Sequence, residues 1–144
     1  MGRSLSRIYL DASCIIYLIE AADPFHAVVA VRLAHHGSDP SAVIVTSRLS
    51  RLECRTRPLR DGNRSVLEAY DTFFSSNRLV LAEIDRLVIE RATGLRAQWG
   101  FKTPDAIHLA TAIEEEATVF LTGDTELVRC QELNVEVVTA NART

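Results

Sequence analysis

Thr103-Pro104-Asp105-Ala106-Ile107-His108-Leu109-Ala110-Thr111-Ala112 decides how this chain folds. Thr103 suits a helix N-cap and Pro104 the first helical position, where a proline has no useful N–H to lose. Asp105 follows in the first turn. Small or apolar side chains then surround the helix, so it starts against other protein rather than in bulk water. A carboxylate there is either a partner of the helix dipole, favourable by roughly 0.3–1 kcal/mol, or part of a site. The dipole role is the commoner one, and the other acids of the chain weigh against it.

Upstream, Arg7-Ile8-Tyr9-Leu10 is a short β-rich run with Asp11 at its carboxyl end. Ser13 suits the cap of the apolar helix that follows, ending near Glu20. Asp23-Pro24 restarts a helix by the same cap-then-proline logic, with Phe25, Val28, Val29 and Leu33 on one face. Phe25, Val28 and Val29 are then available to a partner's apolar helix. His35 and His36 fall in its last turn, as surface histidines, and Gly37 closes it. Val43-Ile44-Val45 reads as a second buried strand. Ser50-Arg51-Leu52-Glu53 has the spacing of a capping box, in which Glu53 holds its own helix end. Pro58 limits that helix and Asp61-Gly62-Asn63 is a turn. Val66, Leu67, Tyr70, Phe73 and Phe74 mark another amphipathic helix, and Leu79-Val80-Leu81 a third strand. Asp85 caps a helix carrying Val88, Ala92, Leu95 and Trp99, stopped by Gly100. The Asp105 helix ends in Glu114-Glu115-Glu116. Beyond it come strand Val119-Phe120-Leu121, the turn Thr122-Gly123-Asp124, a short helix near Leu127 and a last strand, Val135-Glu136-Val137-Val138.

The 144 residues fit one domain, 1–144, large enough to bury a core without staples. Apolar residues make up 47% and charged ones 24%, ordinary for a soluble globular chain. The longest apolar run, Cys14-Ile15-Ile16-Tyr17-Leu18-Ile19, is too short for a bilayer and begins too soon after Asp11 for a signal peptide. The expectation is a cytoplasmic protein with no membrane association. Met1-Gly2-Arg3-Ser4-Leu5-Ser6 matches the loose N-myristoylation pattern, which a strand starting at Arg7 leaves little free tail to use. Cys14, Cys54 and Cys130 lack C-x-x-C spacing and read as small buried hydrophobes. Net charge is −3, yet fifteen of the sixteen basic residues are arginine, six of them between positions 48 and 64. That run is either a set of phosphate forks or a solvated face.

Strands alternating with helices imply an α/β domain with a mostly parallel sheet and helices on both faces. Helix starts then share an edge with strand carboxyl ends. Asp11 and Asp124 follow strands, Glu53 lies one turn into a helix after a strand, and Asp105 opens a helix, so all four project to that edge. Each acid has its own structural explanation as a cap or dipole partner. Four together repel unless a cation sits between them. Oxygen donors without His or Cys point to Mg2+ or Mn2+. Such an ion activates water and neutralises a phosphate with no histidine base or covalent nucleophile. Asp11-Ala12-Ser13 lacks the D-x-D of a haloacid dehalogenase-type phosphatase. The only lysine, Lys102, precedes a helix rather than following a late strand as in a receiver domain.

Asp11 after its strand, helical Glu53, the Pro104–Ala112 run and Leu121-Thr122-Gly123-Asp124 together resemble a PIN domain. The size and layout are similar to those of VapC-type toxins of prokaryotic toxin–antitoxin pairs. The resemblance implies a three-layer fold with about five short parallel strands between helices. It also implies a metal-dependent ribonuclease acting on single-stranded or loop RNA, one or two Mg2+ or Mn2+ ions, a homodimer and a cognate antitoxin. Matched residue by residue, Asp11, Glu53, Asp105 and Asp124 take the places of the acidic quartet. Asp11 and Asp105 then hold the main metal, and Asp124 and Glu53 complete its shell. Thr122 is placed to orient Asp124 or a metal-bound water, or simply to bond within its own turn. His108, one turn from Asp105, reads as a packed helix residue rather than a base. A housekeeping RNA-processing nuclease and a non-catalytic PIN-like binding module are the alternatives.

Overall fold

Short runs of aliphatic and aromatic residues without proline or glycine make the sheet, because such side chains fit a pleated, buried surface. They are β1 (Arg7–Leu10), β2 (Val43–Ser47), β3 (Leu79–Ala82), β4 (Val119–Thr122) and β5 (Val135–Val137). In the computed structural model, which describes residues 6–20 and 23–139, all five pair in parallel in the order β3-β2-β1-β4-β5. The first five residues, and with them most of the acylation pattern, lie outside the described residues. Central β1 sets Ile8 beside Ile44 on one side and Val119 on the other. Its side chains alternate between faces, as the pleat requires.

Ile8 and Leu10 pack with α1 (Ala12–Ile19), α2 (Phe25–His36), α3 (Arg48–Asp61) and α4 (Arg64–Phe74), through Ile15, Val29, Cys54 and Tyr70. Tyr9 faces the other layer, where it joins Val45 and Phe120 against α5 (Arg86–Trp99) and α6 (Thr103–Glu114). The result is the three-layer α/β sandwich expected from the alternating pattern. Val29 is fully buried and Val28 packs against the same core, whereas Phe25 is partly exposed and stacks on Tyr17, so two of the three residues of the expected partner face are spent on the protein's own interior. The free cysteines Cys14, Cys54 and Cys130 are buried. No helix among the described residues is long and apolar enough to cross a membrane.

The helix ends differ from the sequence expectation in five places. Asp11, not Ser13, caps α1, by accepting from the Cys14 N–H at 3.2 Å. Pro24 is itself the N-cap of α2 and makes no side-chain cap bond. Ser47 caps α3, accepting from the Ser50 N–H, so the Ser50–Glu53 capping box does not form. Pro58 lies inside α3 rather than ending it and is buried, and Gly62 in the left-handed conformation stops the helix. Lys102 is the N-cap of α6, which moves Thr103 and Pro104 one position into the helix. Proline is tolerated there because the N–H groups of the whole first turn have no partner inside the helix. Asp105 consequently stands third in the helix, still among its free N–H groups.

Two expected ends are observed. Gly100 closes α5 at φ 75°, and Asp85 caps it through the Val88 N–H at 3.1 Å. Replacing Asp85 by Ala is expected to cost about 1 kcal/mol, read as a Tm lowered by ~2–4 °C in thermal denaturation.

Candidate active site

Asp11, Glu53, Asp105 and Asp124 line one open pocket of about 510 Å³ at the carboxyl edge of the sheet. Ile16 and Tyr17 supply its apolar wall. Parallel pairing brings β1 and β4 side by side, which sets the residues that follow them, Asp11 and Asp124, on adjacent turns.

Asp11 is buried and held on both oxygens. Its Oδ1 accepts from the Ser13 hydroxyl at 2.6 Å and the Cys14 N–H, and its Oδ2 accepts from the Thr122 hydroxyl at 2.5 Å. Thr122 Oγ1 accepts in turn from the Asp124 N–H at 3.0 Å. Thr122 therefore orients the carboxylate of Asp11 and the backbone of Asp124, not the Asp124 side chain. That carboxylate turns back to cap the short 3-10 helix, Thr125–Arg129, accepting from the Glu126 N–H at 2.9 Å. Between them, a Cβ at Gly123 would stand 2.9 Å from the Tyr17 hydroxyl, so a side chain there would have to push the phenol aside. Tyr17 is braced from behind by Phe25, with ring centroids 4.6 Å apart.

Burial raises the pKa of Asp105 above the ordinary aspartate value, and the negative charge of Asp124 raises it further, with His108 opposing and Asp11 adding to the shift. This is the signature of carboxylates facing one another across a shared space. Among the described residues, no group of three or more His, Cys, Asp or Glu side chains closes tightly enough to enclose a metal ion. The acids ring the pocket rather than clasp its centre.

Glu53 does not turn back to its helix end. Its Oε1 lies 2.7 Å from Nε2 of His108, and the Nδ1 of that ring lies 2.8 Å from the Tyr9 hydroxyl. His108 is packed, as expected, and it also bridges α6 to α3. Sequence reasoning missed Tyr9; the signal available was a tyrosine inside a buried strand, whose hydroxyl needs a partner. The arginine run is largely structural. Arg48 pairs with Glu83, Arg51 and Arg55 with Asp71, and Arg60 with Asp61. Arg57 forms no ion pair among the described residues, and it lies one turn beyond Glu53 on α3.

The sequence profile of the PIN domain family matches residues 8–133, a span that contains all four acids. No curated protein sequence matches the chain. Among solved structures, the VapBC2 complex of Rickettsia felis bound to promoter DNA superposes with a TM-score of 0.76 at 16% identity, over 92% of this chain and 99% of that one. VapC20 of Mycobacterium tuberculosis, a toxin that cleaves the sarcin-ricin loop, gives 0.70 at 18% identity over 86% and 95%. A toxin–antitoxin complex from Klebsiella pneumoniae gives 0.65 at 19% over 88% and 94%. With its five-stranded parallel sheet, its helices on both faces and the profile match over most of its length, the chain belongs to the PIN domain family.

Proposed function

We propose that this protein is a metal-dependent endoribonuclease that cuts single-stranded or loop RNA, and that it acts as the toxin of a cytoplasmic toxin–antitoxin pair. The observation that carries the reading is that Asp11, Glu53, Asp105 and Asp124 line one shared pocket, in which burial first, and then the charge of Asp124, push Asp105 toward protonation. Carboxylates that repel one another in a partly buried space suit a hard divalent cation, and the donor set is all oxygen. Asp11, Asp105 and Asp124 would hold Mg2+ or Mn2+, with Glu53 completing the shell directly or through water. When bound, the ion supplies Lewis acidity for water attack at phosphorus and offsets the charge of the phosphate.

The chain's own residues do the rest. Thr122 and Ser13 fix both oxygens of Asp11, so its carboxylate needs no reordering when charge arrives. Ile16 and Tyr17 give the pocket an apolar side against which a nucleotide can lie. Arg57, which forms no ion pair among the described residues, would be available to a phosphate.

A protein partner is part of the same reading. Leu52 and Leu59, seven residues apart on α3, are 62% and 61% exposed, and Val31 of α2 is also exposed. The similar fold from Klebsiella pneumoniae is that of a toxin–antitoxin complex, and the one from Rickettsia felis is VapBC2 on a fragment of promoter DNA. A cognate antitoxin and a second copy of this chain are the proposed occupants of these surfaces.

Purified protein is expected to cut RNA with exposed loops in Mg2+ or Mn2+ and to stop when EDTA is added. Cleavage that survives both EDTA and Asp124→Asn would overturn the nuclease reading. Expression is expected to arrest growth unless the product of the adjacent reading frame is made with it. Harmless expression of an active nuclease would favour the housekeeping role instead.

A further inference from the structure

We propose that His108 is a positioning residue that aims the Glu53 carboxylate into the pocket, and that Tyr9 fixes the imidazole for this task. The inference rests on reading Glu53 as a carboxylate of the active site. Glu53 stands on α3, while His108 stands on α6 three residues after Asp105, and Tyr9 is in the central strand. Tyr9 is fully buried and stacks on Phe120 with ring centroids 5.0 Å apart, so its ring cannot move to follow the histidine. Its hydroxyl reaches Nδ1 of His108 at 2.8 Å, and Nε2 reaches Glu53 Oε1 at 2.7 Å. With both ring nitrogens engaged and only 5% of its side chain exposed, the imidazole has one orientation available.

The direction of this chain follows from its outer end. A carboxylate only accepts, so the hydrogen at the 2.7 Å contact lies on Nε2 and is donated to Glu53. In the neutral imidazole Nδ1 is then the acceptor, and the Tyr9 hydroxyl, 2.8 Å away, donates to it. Glu53 has three rotatable side-chain bonds and is partly exposed, so without this bond its carboxylate is free to swing. Holding Oε1 leaves Oε2 for the pocket: among the described residues no donor reaches it. One turn of α6 thus orients two of the four acids, Asp105 directly and Glu53 through His108.

The test is a double-mutant cycle of His108→Leu against Glu53→Gln, with His108→Gln as the conservative variant that keeps an N–H donor. Groups that orient the holders of a metal typically cost about 10–100-fold in affinity or activity when removed. His108→Leu is expected to weaken Mn2+ binding, measured by calorimetry, and to lower kcat within that range. The double variant is expected to be no worse than Glu53→Gln alone, and His108→Gln to recover much of the loss. Losses that multiply in the double variant would make His108 a core residue only and overturn the proposal.

A second measurement does not depend on activity or on the folding of His108→Leu. In the metal-free wild type, nitrogen-15 spectra of the imidazole are expected to show His108 with its hydrogen on Nε2. A hydrogen on Nδ1 alone would leave Glu53 without its donor and overturn the proposal. If the wild type carries the Nε2 hydrogen yet cuts no RNA in Mn2+, the nuclease reading fails while the held geometry of Glu53 stands.

Discussion

Asp105→Asn is expected to raise the melting temperature of the metal-free protein while lowering cleavage by about a thousandfold or more, as the loss of several kcal/mol of metal-supplied stabilisation implies. The two effects have one cause. Asp105 is partly buried and faces the charges of Asp124 and Asp11. Like charges across a partly solvated pocket repel by on the order of 1 kcal/mol, so removing one is worth ~2–4 °C in a chain of this size. A scaffold role predicts the opposite sign, because losing a helix-dipole partner costs roughly 0.3–1 kcal/mol.

The pH dependence follows from the raised pKa. Below the ordinary aspartate range Asp105 is protonated in folded and unfolded chains alike, and costs nothing. As pH rises through the raised folded-state value, the folded protein must give up a proton it holds more tightly than the unfolded chain does, and stability is lost. The advantage of Asp105→Asn in EDTA is therefore greatest at neutral pH and shrinks as pH falls into the carboxylate range. Mn2+ is expected to raise the melting temperature of the wild type, by binding only the folded state, and to raise that of the variant much less. A variant less stable than wild type in EDTA, yet equally stabilised by Mn2+, would place Asp105 in the scaffold.

Thr122→Val is expected to move stability the other way. The substitution keeps the shape and removes one hydroxyl, which donates to Asp11 Oδ2 and accepts from the Asp124 N–H. Thr122 is fully buried and Asp11 nearly so, which leaves a carboxylate oxygen without its donor. Such a loss costs about 1–3 kcal/mol, visible as a Tm lowered by ~2–12 °C in EDTA. Because Asp11 is then less well aimed, Mn2+ affinity is expected to fall about tenfold or more, as for other groups that orient a metal's holders. Calorimetric titration with Mn2+ checks this, and unchanged affinity would confine Thr122 to the turn.

The sequence by itself determined the layers of this protein and the edge at which its acids gather. Runs such as Val43-Ile44-Val45 and Leu79-Val80-Leu81 have no way to be buried except as sheet, and the helices between them force parallel pairing. Once the sheet is parallel, Asp11, Glu53, Asp105 and Asp124 fall at its carboxyl edge by their position in the chain alone. Tertiary structure decided what each acid touches. The sequence spacing made Ser50 the cap of α3, but the Ser50 hydroxyl is taken up by Thr46 inside the helix start, Ser47 caps instead, and Glu53 is released. The histidine that Glu53 then meets is 55 residues away in sequence, and Thr122 is 111 residues from the Asp11 it holds. Local pattern sets where a side chain starts and which way its element runs. The partner of a buried polar atom is set by whichever unpaired donor or acceptor the packed sheet brings within 3 Å, and only the assembled layers bring those together.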